Sequence, residues 1–204
     1  MINKILYINL EHRTDRKESV EEELKKLNYP PEMIQRVDAI KKDNGALGCT
    51  LSHLKCLEIA MENDYECVMI VEDDLGFKEN INEKKFRDLL DELNKFSNFD
   101  ICSLTCSGYG KNIQKETQEI AKAITIQTTT GYIIRKKFYK TLYDNFNKSK
   151  EKFENGKHRC EAAIDIMWKQ LQGKNSNFYV FEPIIAFQKP SYSDIEKMFA
   201  NYIF

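Results

Sequence analysis

The chain has no run of apolar residues near the roughly 18 that a membrane-spanning helix requires, so no span is expected. Its opening, "MINKILYINL", is too short for a secretory apolar region and lacks a cleavage pattern, which points to a cytoplasmic protein, at most peripheral to a membrane. Charge of one sign is missing too. Lys and Arg (31) nearly balance Asp and Glu (32), leaving a net charge of -1, and no basic block marks a nucleic-acid surface. The six cysteines form no CxxC pair or tight metal array, so they read as reduced, mostly buried apolar residues. His158 and Cys160 stand close in "HRC", with nothing nearby to complete a zinc site. No linker, repeat or low-complexity tract divides the chain, so residues 1–204 read as a single domain.

What is present is a core. The chain is 42% hydrophobic, with twelve Phe and ten Tyr, which excludes a disordered protein. "KILYINL" (4–10) reads as a buried strand, and Asp15 with Glu18 marks a helix start that "NYPP" (28–31) ends. "MIQRVDAI" (33–40) reads as a second strand. Leu47, Leu51, Leu54, Leu57 and Met61 then hold a helical period over 46–63. Strands are expected at 66–74, 100–106 and 123–135, with a flexible-looking loop at 107–112. Helices are expected at about 82–96, 136–146 and 159–171, and "FYVFEPIIAF" (178–187) reads as a strand pair interrupted by Pro183. This alternation predicts an α/β sheet with ligands at the carboxyl ends of its strands.

"VMIVEDDLGF" (68–77) drives four apolar residues into Glu72, Asp73 and Asp74. Adjacent like charges cost free energy unless a cation or a proton neutralises them. Side chains of a strand alternate faces, so Glu72 and Asp74 are expected to point together and Asp73 away. Two carboxylates on one side suit a hard divalent cation, Mn²⁺ or Mg²⁺; the alternative is a solvated turn. A receiver domain would need its acids on the first strand and an acceptor Asp further on, and "KETQEI" (115–120) has none. A haloacid-dehalogenase-type phosphatase needs an Asp two residues after the first, then a Thr; Asp74 is followed by Leu75 and Gly76. A transferase using a nucleoside-diphosphate sugar fits best, because a metal on Glu-x-Asp bridges the diphosphate leaving group.

"YINLEHRTDRKESV" (7–20), "GALGCTLSHLKCLEIA" (45–60) and "VMIVEDDLGF" (68–77) occur in the order and spacing of glycosyltransferase family 25, which the chain strongly resembles. "TTTGYIIRKKFYKTL" (128–142), "AAIDIMW" (162–168) and "PIIAFQKPSYSDI" (183–195) are weaker likenesses. The resemblance implies a GT-A-like mixed sheet flanked by helices, a UDP-sugar donor (UDP-galactose favoured) and a divalent metal, commonly Mn²⁺. It gives Glu72 and Asp74 the metal role, with Asp73 as an alternative ligand. It puts Asn9, Arg13 and Arg16 in a nucleotide-facing motif and Ser52 and His53 in a Ser-His pair.

Other readings of these residues stay open. Guanidinium forks suit phosphate, but Arg13 and Arg16 fit surface salt bridges as well. Asn9 fits a strand-end cap, and His53, beside Cys49, Cys56 and Leu57, fits a satisfied buried histidine. Gly45 and Gly48 fit close backbone approach to a ligand or a helix start. Asp194 is a further residue expected near the site.

Transfer to a hydroxyl needs a general base. Asp165 is the candidate and Glu161, one helical turn earlier, the reserve. Trp168 fits a sugar-stacking platform or ordinary core packing. The acceptor is a sugar, a glycolipid or a protein. The alternative function is an inactive nucleotide-sugar-binding or scaffolding protein on the same fold.

Overall fold

The structure is a computed structural model that describes residues 2–106, 112–193 and 198–200. Asp194 and residues 107–111 of the expected loop lie outside the described residues. In chain order the strands and helices are β1 (Lys4–Asn9), α1 (Thr14–Lys25), β2 (Ile34–Asp38), α2 (Gly45–Glu62), β3 (Cys67–Glu72) and β4 (Leu75–Phe77). Then come α3 (Glu83–Asn94), β5 (Ile101–Ser103), β6 (Asn112–Lys115), β7 (Ile120–Thr125), β8 (Gly131–Arg135) and α4 (Lys136–Glu154). The remainder is α5 (Arg159–Ala162), α6 (Ile164–Met167), β9 (Phe178–Phe181), β10 (Ala186–Gln188), β11 (Ser191–Ser193) and β12 (Met198–Ala200).

Eight strands form one mixed sheet in the order β2-β1-β3-β8-β5-β9-β7-β6. β1 pairs in parallel with both β2 and β3, whereas β8 runs antiparallel between β3 and β5. The sheet has a core on each face, which is why β3 reads as an unbroken apolar run. Cys67, Met69 and Val71 pack with Val20 and Leu24 of α1 and Phe86 and Leu89 of α3. Val68 and Ile70 pack on the other side with Leu54 and Leu57 of α2 and Leu142 and Phe146 of α4. The result is the GT-A-like α/β fold that the sequence predicts. No described helix is long and apolar enough to cross a membrane.

Local chemistry sets the elements close to the site. Asn44 caps α2, its side chain accepting from the Leu47 N–H at 3.3 Å. Beside the end of β3, the strand-like stretch 123–135 is split between β7 and β8 by a connection in which Thr128 adopts φ 85°. The expected helix 159–171 is also broken. Ala163 takes an extended ψ of 142° between α5 and α6, and Trp168–Leu171 winds into a 3₁₀ turn.

Gly48 permits the tightest approach in the region. A Cβ there would lie 2.4 Å from the Ile40 carbonyl oxygen, and Ser52 fastens the same segment. The Ser52 hydroxyl donates to the Gly48 carbonyl and accepts from the Ile40 N–H, both at 2.8 Å. In Gly48→Ala the helix-propensity gain of about 1 kcal/mol is outweighed by overpacking of about 1–3 kcal/mol, because the obstacle is backbone. Its midpoint of thermal unfolding is expected to fall by a few degrees, roughly 2–6 °C. A midpoint equal to or above wild type, followed by circular dichroism, contradicts the clash.

Candidate active site

The carboxyl ends of β1 and β3 open into a cavity of about 770 Å³, bounded by the start of α2, the Thr128–Thr130 connection and the β10–β11 region. Of the sequence-predicted site residues, Asn9, Arg16, Gly45, Gly48, Ser52, His53, Glu72, Asp73, Asp74 and Asp165 line it. Arg13 and Glu161 do not. The Arg13 fork clasps Asp15 at 2.8 and 2.9 Å and reaches the Tyr192 carbonyl, so it bears on the cavity wall from behind. Glu161 is exposed and faces Lys157 at 3.6 Å. The break at Ala163 removes it from the face that carries Asp165, which corrects its assignment as reserve base.

Glu72 ends β3 on the face of Val68 and Ile70, which is the face covered by α2. His53 of α2 therefore meets it, Nε2 to Oε1 at 3.3 Å, and Thr129 donates to the same oxygen at 3.0 Å. The other imidazole nitrogen lies 3.0 Å from the Tyr132 hydroxyl. One proton arrangement satisfies the whole chain: Tyr132 O–H donates to Nδ1, and Nε2–H donates to Glu72. Burial pushes the Glu72 carboxyl up, but these donors prevail and hold it below its ordinary range.

The strand stops at Glu72, and that corrects the expected alternation. Asp73 and Asp74 lie in the turn to β4, so all three carboxylates face one cavity. Asp73 accepts from Asn9 Nδ2 and Arg16 Nη1, each at 2.8 Å. Arg16 Nη1 also lies 3.4 Å from Asp74, and its Nη2 donates to Ser191 Oγ and the Tyr192 carbonyl. Burial still raises Asp73 above its usual range, with Glu72 adding to the effect. Asp74 moves further, up to about 7, through burial first and then the charges of Glu72 and Asp73. Gln188 donates to its Oδ2 at 2.9 Å, while Oδ1 is buried with no hydrogen-bond partner. Across the cavity, burial and the Glu72 charge raise Asp165, against a hydrogen bond from Gln127.

An unpartnered buried carboxylate oxygen beside an ionised glutamate is a hard-cation donor set, so the residues present fit a divalent metal. Cys49, His53 and Glu72 also bring three ligand atoms within 4.8 Å of one another. Burial, with Glu72 next, holds the Cys49 thiol well above its ordinary range. Trp168 is not in the cavity. It is fully buried, edge-on to Tyr132 and Phe178 with ring centres 5.9 and 5.0 Å away, which resolves its role as core packing. Sequence reasoning missed Lys41, Lys42, Arg159 and Gln188, which also line the cavity. Gln188 sits in a segment already noted as family-like; the others stand in stretches without a local pattern.

The sequence profile of glycosyltransferase family 25, described as an LPS biosynthesis protein, matches residues 43–168, well over half the chain. That span runs from the start of α2 through the acidic turn to Trp168. No curated protein matches the chain. Among solved structures, a glycosyltransferase involved in the glycosylation of the major capsid of PBCV-1 superposes with a TM-score of 0.55 at 13% identity, covering 90% of this chain and 83% of that one. Weaker likenesses are mannose-1-phosphate geranyltransferase from Thermus thermophilus (0.49; 11%; 89% and 74%) and A197 from STIV (0.48; 12%; 98% and 93%). The first likeness is one of fold, and the profile match supplies the family. The chain belongs to glycosyltransferase family 25 and is a glycosyltransferase.

Proposed function

We propose that the protein is a metal-dependent hexosyltransferase that moves a sugar, galactose favoured, from a UDP-sugar to a hydroxyl of a glycan, glycolipid or protein. The observation that supports this best is the acidic turn, with its unpartnered Asp74 oxygen, in the floor of the cavity at the ends of β1 and β3. Glu72 and Asp74 would hold Mn²⁺ or Mg²⁺, with Asp73 as the alternative ligand. When bound, such an ion neutralises the charge that develops on the departing diphosphate. Asn9, Arg16, Gly48, Ser52 and His53 form the donor side of the cavity.

The chain's own residues divide the remaining work. Asp165 accepts the proton of the acceptor hydroxyl; its affinity for protons, raised by burial, suits a general base. His53, held by Tyr132, fixes Glu72, and Asn9 fixes Asp73. Ser52 binds backbone on both sides and keeps the Ile40 segment against α2. A second reading, an inactive nucleotide-sugar-binding protein, draws on the ion pairs that already occupy Arg16 at Asp73 and Asp74.

A UDP-release assay over a panel of UDP-sugars, with Mn²⁺ and with chelator, separates the two. Hydrolysis of one donor that chelation abolishes is expected. Silence across the panel despite metal-dependent UDP binding favours the inactive reading. Asp165→Asn is expected to lower transfer by roughly 10²–10⁴-fold while Glu161→Gln stays close to wild type. Equal losses in both would remove Asp165 from the base role.

Asp74→Asn should separate activity from stability. Transfer is expected to drop at least about a hundredfold. In the metal-free protein, folded Asp74 keeps a proton that the unfolded chain has released at the same pH, so wild-type stability falls as pH rises from about 4 to 7. The Asn variant lacks this loss. Its thermal midpoint should exceed wild type by a margin that widens over that window and then levels off. A margin independent of pH would refute the raised Asp74.

A further inference from the structure

We propose that Cys49, His53 and Glu72 form a second cation site in the cavity, one that takes a soft, thiophilic divalent ion such as Zn²⁺. Cys49 and His53 stand four apart on α2 and so share a face, and Glu72 closes the set from the end of β3. Their donor atoms all lie within 4.8 Å of one another. Tetrahedral zinc with one sulfur, one nitrogen and one oxygen ligand needs donors roughly 3.3–3.6 Å apart. The His53–Glu72 pair already stands at 3.3 Å, so only Cys49 has to close in.

The outer contacts are those of a built site. Tyr132 sits on the far nitrogen of His53 and Thr129 on the ligating oxygen of Glu72, fixing both before any ion arrives. His53 is fully buried, so its ring has no freedom to leave the cluster. All three residues line the cavity, which gives an ion an entry path. Coordination sends the Cys49 thiol proton to solvent. It also moves the imidazole proton to Nδ1, where the Tyr132 oxygen accepts it. Sulfur and imidazole favour Zn²⁺ or Co²⁺ over Mg²⁺ and Mn²⁺, so this site and the Glu72–Asp74 pair differ in preference while sharing one glutamate. A soft ion would therefore take Glu72 from the hard-cation pair and inhibit transfer. That consequence rests on the proposed function; the binding does not.

Co²⁺, titrated into the full chain under reducing conditions, is the probe. A near-ultraviolet thiolate-to-cobalt charge-transfer band with intense four-coordinate visible bands is expected in wild type, and one equivalent of Zn²⁺ should abolish it. Both Cys49→Ser and Cys49→Ala are expected to lose the band. Cys160→Ser is the control, because His158 Nδ1 and Cys160 Sγ lie 3.2 Å apart on the surface. A wild-type spectrum without the band, a band that survives in both Cys49 variants, or one lost in Cys160→Ser would overturn the site. Failure of UDP-sugar turnover leaves these spectra unaffected, so the two readings fall separately.

Discussion

Three carboxylates share the end of β3, and one guanidinium, that of Arg16, sits among them. Most of the local architecture follows from keeping that arrangement folded. Two of the acids are nearly inaccessible to water, at 8% and 6% exposure for Asp73 and Asp74. Burying charge at that depth is costly unless it is paired or protonated, and both remedies operate here. Arg16 neutralises part of the cluster, and Asp74 holds its proton more tightly than a free carboxyl does. The cost of burying these carboxylates is thus met by the fold itself, through Arg16 and through the proton on Asp74.

The support is layered by face. Glu72 belongs to the α2 side of the sheet, so its partners come from α2 and β8: His53 and, behind it, Tyr132. Asp73 is gripped from β1 through Asn9. Asp74 depends on the late strands: Gln188 holds its side chain, and the Lys189 N–H donates to its carbonyl at 2.7 Å. Lys189 in turn reaches Ser19 and Glu23 of α1. Each acid thus has a partner of its own, on α2, β1 or β10, while Arg16 of α1 ties Asp73 to Asp74.

Much of this was legible in the sequence, because it rests on short patterns. β1, α1, β2, α2, β3 and α3 follow from apolar periodicity and turn or start signals, and the cavity residues from Asn9 to Asp74 follow from motifs lying next to those elements; Asp165 follows from the later stretch "AAIDIMW". What escaped depends on contacts between distant residues. The turn after Glu72 overrides strand alternation because β4 must bend to pair with β10, over a hundred residues later. Ala163 carries no local signal for an extended conformation, so the fates of Glu161 and Trp168 were hidden. β6 has no strand signal of its own, because its residues are mostly exposed and polar and only pairing with β7 makes it a strand.

The tie between Arg16 and Ser191 spans 175 residues, and that between Asp74 and Gln188 spans 114. On the ribosome, the acidic turn emerges long before the segment that completes its surroundings. A nascent chain lacking residues 186–193 carries Glu72, Asp73 and Asp74 with no Gln188 or Lys189 to hold the last of them. Such a chain has the sheet's first strands and an unfinished charge cluster, a state exposed to misassembly during synthesis. The cavity is completed only when its last wall is translated, which couples its closure to the synthesis of residues 186–193.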